Sequence, residues 1–122
     1  MTTTNLLQWN CRGFRSNKHE LDLLISKYSP SAICIQEIFM CDDINLRGYV
    51  NYDLLSTVDQ ENRPHGGVSL LIRQDIPQYP IPINTNIQAV AAKITLNRPV
   101  SICSIYLPPS QPISVAELNN IY

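Results

Sequence analysis

Leu6-Leu7-Gln8-Trp9-Asn10, then after one amphipathic helix Ala32-Ile33-Cys34-Ile35-Gln36-Glu37, is the stretch that decides the fold. The first run reads as a strand over 5–10, interrupted by Gly13 and the polar residues around Ser16-Asn17. Leu21, Leu24, Ile25 and Tyr28 then repeat at helical spacing and mark one apolar stripe. Asn17 with Glu20 three residues on predicts an N-cap with a capping box, and Pro30 stops the helix. The run 31–37 is almost wholly apolar, as expected of a strand buried on both faces. Strand, helix and strand within about 35 residues give a βαβ-like opening. An antiparallel placement of the two strands stays open at this point.

Further along, Tyr49–Val58 reads as an edge strand or two short strands. Arg63-Pro64-His65-Gly66-Gly67 reads as a turn and Val68–Arg73 as another apolar strand. Pro77, Pro80 and Pro82 predict an extended loop over 76–86. Val90, Ala92, Ile94 and Leu96 alternate with Ala91, Lys93 and Thr95, the period of a half-buried strand. Asn97-Arg98-Pro99 turns it into a hairpin with 100–107. Ser114 and Glu117 form a second capping box, and Val115, Leu118 and Ile121 start a new stripe. A stripe just begun predicts a helix cut short, and hence open sheet edges and an incompletely covered hairpin face.

The 122 residues suit one domain, assigned to 1–122. A net charge of −1 excludes a broadly basic nucleic-acid surface, so any phosphate contact must be local or pass through a metal. Cys11, Cys34, Cys41 and Cys103 form no C-x-x-C pair, and Cys34 and Cys103 lie in apolar runs, as buried free thiols do. No signal-peptide core or membrane-length apolar run is present, so the default is a reduced, intracellular chain, in nucleus or cytoplasm.

Three strands end on polar residues beside turns: Asn10, Glu37 and Tyr106. A carboxylate at the end of a doubly buried strand needs a positive partner. For Glu37 the readings are a divalent metal as that partner, a salt bridge, for instance to Arg12, or simply a surface-exposed strand end. Asn10 can contact phosphate or simply shape a turn. Tyr106 can donate to a phosphate oxygen or serve as an ordinary strand aromatic. Arg12, Arg15 and Lys18 cluster near Asn10, either as a backbone-phosphate contact or as a solvated surface. His65 is a candidate general base or an exposed turn residue, and His19 reads as solvent-facing. No zinc spacing, P-loop, G-x-G-x-x-G or G-x-S-x-G occurs.

The order of these pieces resembles the endonuclease/exonuclease/phosphatase family, with its DNase-I-like and apurinic-endonuclease-like fold. Those pieces are Asn-x-x-Gly after strand one, Ile-Gln-Glu after strand two, Gly-Gly before an apolar strand, and Ile-Tyr-x-Pro-Pro after a hairpin. Gln8-Trp9-Asn10-Cys11-Arg12-Gly13 and Ser104-Ile105-Tyr106-Leu107-Pro108-Pro109 look more narrowly like the endonuclease domain of jockey-type non-LTR retrotransposons. The resemblance covers nearly all of 5–122. It implies an α/β fold, a two-layer β-sandwich flanked by helices, of which this chain is the N-terminal half. It implies Mg²⁺- or Mn²⁺-dependent hydrolysis of a DNA phosphodiester, with a reverse transcriptase downstream in one polyprotein.

By the same resemblance Glu37 is the metal ligand, Asn10 contacts the active centre, Tyr106 bonds the scissile phosphate, and Arg12 and Arg15 touch substrate. The family's Asp-x-Asn and Ser-Asp-His segments have no match here. The fragment alone is therefore expected to be inactive. The alternatives are a non-catalytic remnant, or a relative acting on abasic sites, phospholipid or inositol phosphate.

Overall fold

The computed structural model describes residues 4–107. The elements are β1 (Leu6–Asn10), α1 (Phe14–Tyr28), β2 (Ala32–Gln36), β3 (Tyr49–Leu54), β4 (Thr57–Val58), β5 (Pro64–His65), β6 (Val68–Arg73), β7 (Gln78–Ile81), β8 (Gln88–Thr95) and β9 (Pro99–Tyr106). One sheet has the order β1-β2-β6-β3 and a second the order β7-β8-β9, while β4 and β5 form a two-stranded ribbon. β1 and β2 run parallel, so the opening is a true βαβ unit, and the other pairs are antiparallel.

Alternation along β2 and β6 splits the first sheet between two cores. Ile33, Ile35 and Leu71 point to one side and pack with Leu21, Phe14, Ile38 and Ile44. Ala32, Leu70 and Ile72 point to the other and meet Ala92 and Ile94 of the second sheet. The layers are therefore helix, sheet and sheet. This is the expected α/β sandwich, and among the described residues one helix flanks it. Burying both faces of β2 and β6 explains their unbroken apolar runs. The incomplete cover expected on the face of Val90, Ala92, Ile94 and Leu96 is met at its ends, where Val90 and Leu96 stay half-buried, and not at its centre. Ala92 and Ile94 are fully buried because β6 lies over them.

Three other expectations are corrected. Asn17 is not the N-cap: α1 begins three residues earlier, behind Gly13, with no side-chain cap. The backbone N–H groups of Gly13 and Phe14 donate instead to the carbonyls of Glu37 and Ile38 (2.8 and 2.9 Å), which satisfies donors that a helix start normally orphans. Asn17 sits on the second turn and ties the helix back to the carbonyls of Cys11 and Gly13. The stripe fades toward the C-terminus, where Tyr28 is exposed and Ser29 closes the helix in the left-handed region. The proline-rich segment is not all loop. Gln78–Ile81 pairs with β8 as an edge strand, where Pro80 lacks only an N–H that no neighbour needs. Pro64–His65 belongs to the ribbon rather than to a turn, and the reversal lies at 59–63. The second helix expected after Ser114 lies outside the described residues. Among those described, no helix is long and apolar enough to cross a membrane.

Candidate functional site

The site grows from the register of three strands. Asn10 and Gln36 are the last partners of the β1–β2 ladder. The ladder then continues beyond the strands: Cys11 N–H donates to the Gln36 carbonyl (3.1 Å) and Gly13 N–H to that of Glu37. This pairing holds the two loops side by side with Arg12 (φ 49°) and Glu37 (φ 54°) in the left-handed region. Left-handed backbone is costly for residues bearing a Cβ, and it persists only where surrounding bonds fix it. Here it turns both side chains out at the sheet's end.

The end of β9 arrives from the second sheet. Tyr106 donates its hydroxyl to Glu37 Oε1 at 2.9 Å. Together Gln8, Asn10, Arg12, Gln36, Glu37, Ile105, Tyr106 and Leu107 line an open cleft of about 450 Å³. Four of the five sequence-predicted site residues therefore share one cleft: Asn10, Arg12, Glu37 and Tyr106. Arg15 does not line it and faces Asp42 at 3.3 Å on the exposed surface. The pairing of Glu37 with Arg12, weighed as an alternative, is not among the ion pairs of the described residues. His65 is exposed and its Nε2 lies 2.7 Å from Asp59 Oδ2, so it is held in the β4–β5 ribbon and does not line the cleft.

Along the cleft runs a polar layer that sequence reasoning missed. Gln8 Nε2 donates to Gln36 Oε1 (2.5 Å), and Gln36 Nε2 donates to Ser104 Oγ (3.2 Å). Ser104 Oγ in turn donates to the Ile35 carbonyl (3.4 Å). Gln8 and Ser104 stand two residues before Asn10 and Tyr106, so they share strand faces with them, one step back along each strand. A run of polar residues spaced by two before each strand end was the available signal. Gln36 is buried, and a buried carboxamide costs stability unless its partners are all present.

Burial raises the Tyr106 hydroxyl above its ordinary pKa, and the Glu37 bond and charge add to this. Burial also lifts the Cys11 thiol to about 11, so at neutral pH its S–H stays available to the Gln36 and Glu37 carbonyls, each 3.5 Å away. All four cysteines are free; Cys11 is buried, while Cys34 and Cys103 are only half-buried between strands.

Among the described residues, Glu37 is the single carboxylate lining the cleft. Among the described residues, no group of three His, Cys, Asp or Glu gathers to hold a metal. A closed zinc-type cage is thus not built from them. One partly exposed carboxylate beside an Asn carboxamide suits a hard cation that keeps most of its water, because Mg²⁺ needs only one or two protein carboxylates. Tyr106 engages Oε1, and no described residue donates to Oε2.

No protein-family profile matches the sequence. The chain is 29% identical over 119 residues to the RNA-directed DNA polymerase from mobile element jockey of Drosophila funebris, covering 93% of this chain and 13% of that protein. Its fold matches the endonuclease domain of TRAS1, a telomere-specific non-LTR retrotransposon, with a TM-score of 0.66 and 20% identity. That match takes in 98% of this chain and 51% of that domain. The chain thus spans about half the length of the solved domain whose fold it shares, and the resemblance read from its motifs is met by both comparisons.

Proposed function

We propose, starting from that shared fold, that the chain carries the metal- and phosphate-binding part of a nuclease that cleaves DNA phosphodiester bonds. The observation that carries this reading is the Tyr106–Glu37 hydrogen bond inside a cleft that also holds Asn10 and Arg12. Among the described residues, such a cleft presents one acidic group, one hydroxyl donor, one guanidinium and three carboxamides at the ends of three strands.

In this reading Glu37 holds Mg²⁺ or Mn²⁺ through its carboxylate, with the Asn10 carbonyl oxygen near at hand. When bound, the ion supplies Lewis-acid polarisation of a phosphoryl oxygen. Tyr106 donates its hydroxyl to Glu37 and can redirect that proton toward a phosphate oxygen. Arg12 offers a charge-assisted contact to the DNA backbone, and the Asn10 amide N–H₂ a neutral one. Holding the phosphate at several points fixes the bond for in-line attack.

These residues bind and orient. Among the described residues of the cleft, none besides Glu37 can accept a proton from water as a carboxylate or imidazole. The proton acceptor, and a partner that continues synthesis from the nick as a reverse transcriptase does, would then come from other parts of a longer protein. The jockey relative is an RNA-directed DNA polymerase by name.

The test has two arms. Water-proton relaxation with Mn²⁺ should show one site on the chain that Glu37→Gln removes. Supercoiled plasmid should not be nicked by the 122 residues alone. It should be nicked once they are joined to the remainder of a jockey-type endonuclease domain. Unchanged Mn²⁺ binding in the Glu37→Gln chain overturns the reading. Nicking by the chain alone would overturn the part that places the proton acceptor elsewhere.

A further inference from the structure

Gln88 stands outside the cleft, yet it touches what holds the cleft in shape. It is the register partner of Tyr106 on the neighbouring strand, so the two side chains project from the same face of the second sheet. Its Oε1 accepts the Gly67 N–H at 2.7 Å. A Cβ built on Gly66 would lie 2.7 Å from that Oε1 and 2.8 Å from Nε2, so the carboxamide lies directly on the Gly66–Gly67 backbone. That backbone carries the residues following the acid. The Gly67 carbonyl accepts Ile38 N–H (3.4 Å), and the Gly66 carbonyl accepts Phe39 N–H (3.2 Å). Both glycines adopt positive φ, as does Phe39 (52°).

The bonds close a ring: Tyr106, Gln88, Gly67, Ile38, Glu37 and back to Tyr106. Within it, Glu37 keeps a backbone conformation that would relax if released. Among the described residues, Gln88 is the side chain whose hydrogen bond ties the glycine turn to the strand pair bearing Tyr106.

We infer that Gln88 is a positioning residue: its carboxamide clamps the Gly66–Gly67 turn and thereby fixes the Glu37 carboxylate under the Tyr106 hydroxyl. The assignment of metal binding to Glu37 rests on the function proposed above, but the clamp itself does not. Its effect on the Tyr106–Glu37 bond is readable without any metal.

The experiment uses the 122-residue chain with tyrosine labelled at the ring carbon bearing oxygen, and Tyr106→Phe to assign the signal. Gln88→Met keeps bulk and removes the acceptor. It should shift the Tyr106 ring-carbon signal at neutral pH and the Gly67 amide signal. It should also weaken Mn²⁺ binding on the order of tenfold, the loss typical when a ligand's supporting partner goes. Gln78→Met removes a comparable amide, the one that accepts from Tyr52, and should leave all three signals in place. If Gln88→Met does not fold, Glu37→Gln supplies the reading, since a connected ring must shift the Gly67 amide and the Gln88 side-chain amide together. An unmoved Tyr106 ring-carbon signal in folded Gln88→Met, or silence at Gly67 and Gln88 in Glu37→Gln, overturns the clamp. A wild-type chain that shows the Tyr106 response but no Mn²⁺ site instead overturns the proposed function and leaves the clamp standing.

Discussion

The hydroxyl of Tyr106 lies 2.9 Å from Oε1 of Glu37, although 69 positions separate them in the chain. One comes from the end of the second sheet and the other from the loop leaving the first. The bond therefore spans the seam of the sandwich at its open end and reports how the two sheets sit there.

That bond gives a pH dependence with a definite sign. The Tyr106 pKa is raised in the folded chain, first by burial and then by Glu37. A raised folded value means the group favours the folded state while protonated. The contribution is complete below the ordinary tyrosine value of about 10 and is lost as pH climbs through the folded value. The stability gap between wild type and Tyr106→Phe should be flat up to that point and shrink beyond it. Urea denaturation at a series of pH values measures this, and a gap that widens instead would contradict the assignment.

Glu37→Gly should separate stability from metal binding. Relieving a left-handed non-glycine backbone recovers about 1–2 kcal/mol. Losing one hydrogen bond costs about 1 kcal/mol. The two nearly cancel, so the denaturation midpoint should stay within about 1 kcal/mol of wild type while Mn²⁺ binding disappears. A large drop in stability with metal affinity unchanged would assign Glu37 to structure alone.

Gln36→Leu probes the polar layer. Gln8 is exposed and can turn its amide to water, and Ser104 keeps the Ile35 carbonyl. Few groups are left orphaned, so the cost should sit near the low end for a lost buried hydrogen bond, about 1 kcal/mol. Chemical denaturation of the variant checks the figure. A loss above about 3 kcal/mol would show that the layer holds the sheets together more strongly than its bonds imply.

Gly67→Ala and Gly48→Ala should differ sharply. Both glycines have φ near +88° and +86°. A Cβ at Gly48 meets nothing within 4 Å, so only backbone strain remains, roughly 1–2 kcal/mol. A Cβ at Gly67 would lie 2.6 Å from Ile38 Cγ1 and 2.7 Å from Ser56 Oγ, both tightly held. Melting temperatures should therefore fall much further for Gly67→Ala, and Mn²⁺ binding should weaken with it because Ile38 follows Glu37. Equal melting temperatures would refute the close approach.

Arg12 and Arg15 should part company in DNA binding. Arg12 lines the cleft, whereas Arg15 faces Asp42. Removing a phosphate contact lowers the salt slope of binding by about 1. Fluorescence anisotropy of a duplex across a salt series should show that change for Arg12→Ala and little for Arg15→Ala. The reverse ranking would move the DNA path off the cleft and onto the helix.

Local patterns carried much of this in the sequence. The run from Ala32 to Ile35 is apolar throughout because both faces of its strand are buried, so its place as a central strand was readable from composition. Ile94 stands between Lys93 and Thr95, and Ala92 two residues before it keeps the same period, which fixed β8 and its hairpin with β9. The strand-end residues Asn10, Glu37 and Tyr106 stood out because polar groups broke apolar runs. The helix start was misread because Asn17 and Glu20 satisfy a capping pattern. The orphan donors were instead met by carbonyls of Glu37 and Ile38, more than twenty residues away. No local pattern contains that information.

By itself, then, the sequence determined the α/β class, the order of the strands along the chain and the residues at their ends. Tertiary structure alone decided which of those ends meet. Parallel pairing set Asn10 beside Gln36, sheet-on-sheet packing brought Tyr106 to Glu37, and surface ion pairing left Arg15 outside. It also revealed Gln88 and the Gln8–Gln36–Ser104 layer. The physical reason is that side-chain period is a property of each strand separately. The meeting of strands depends on how two buried faces pack, and that balance is struck across the whole core.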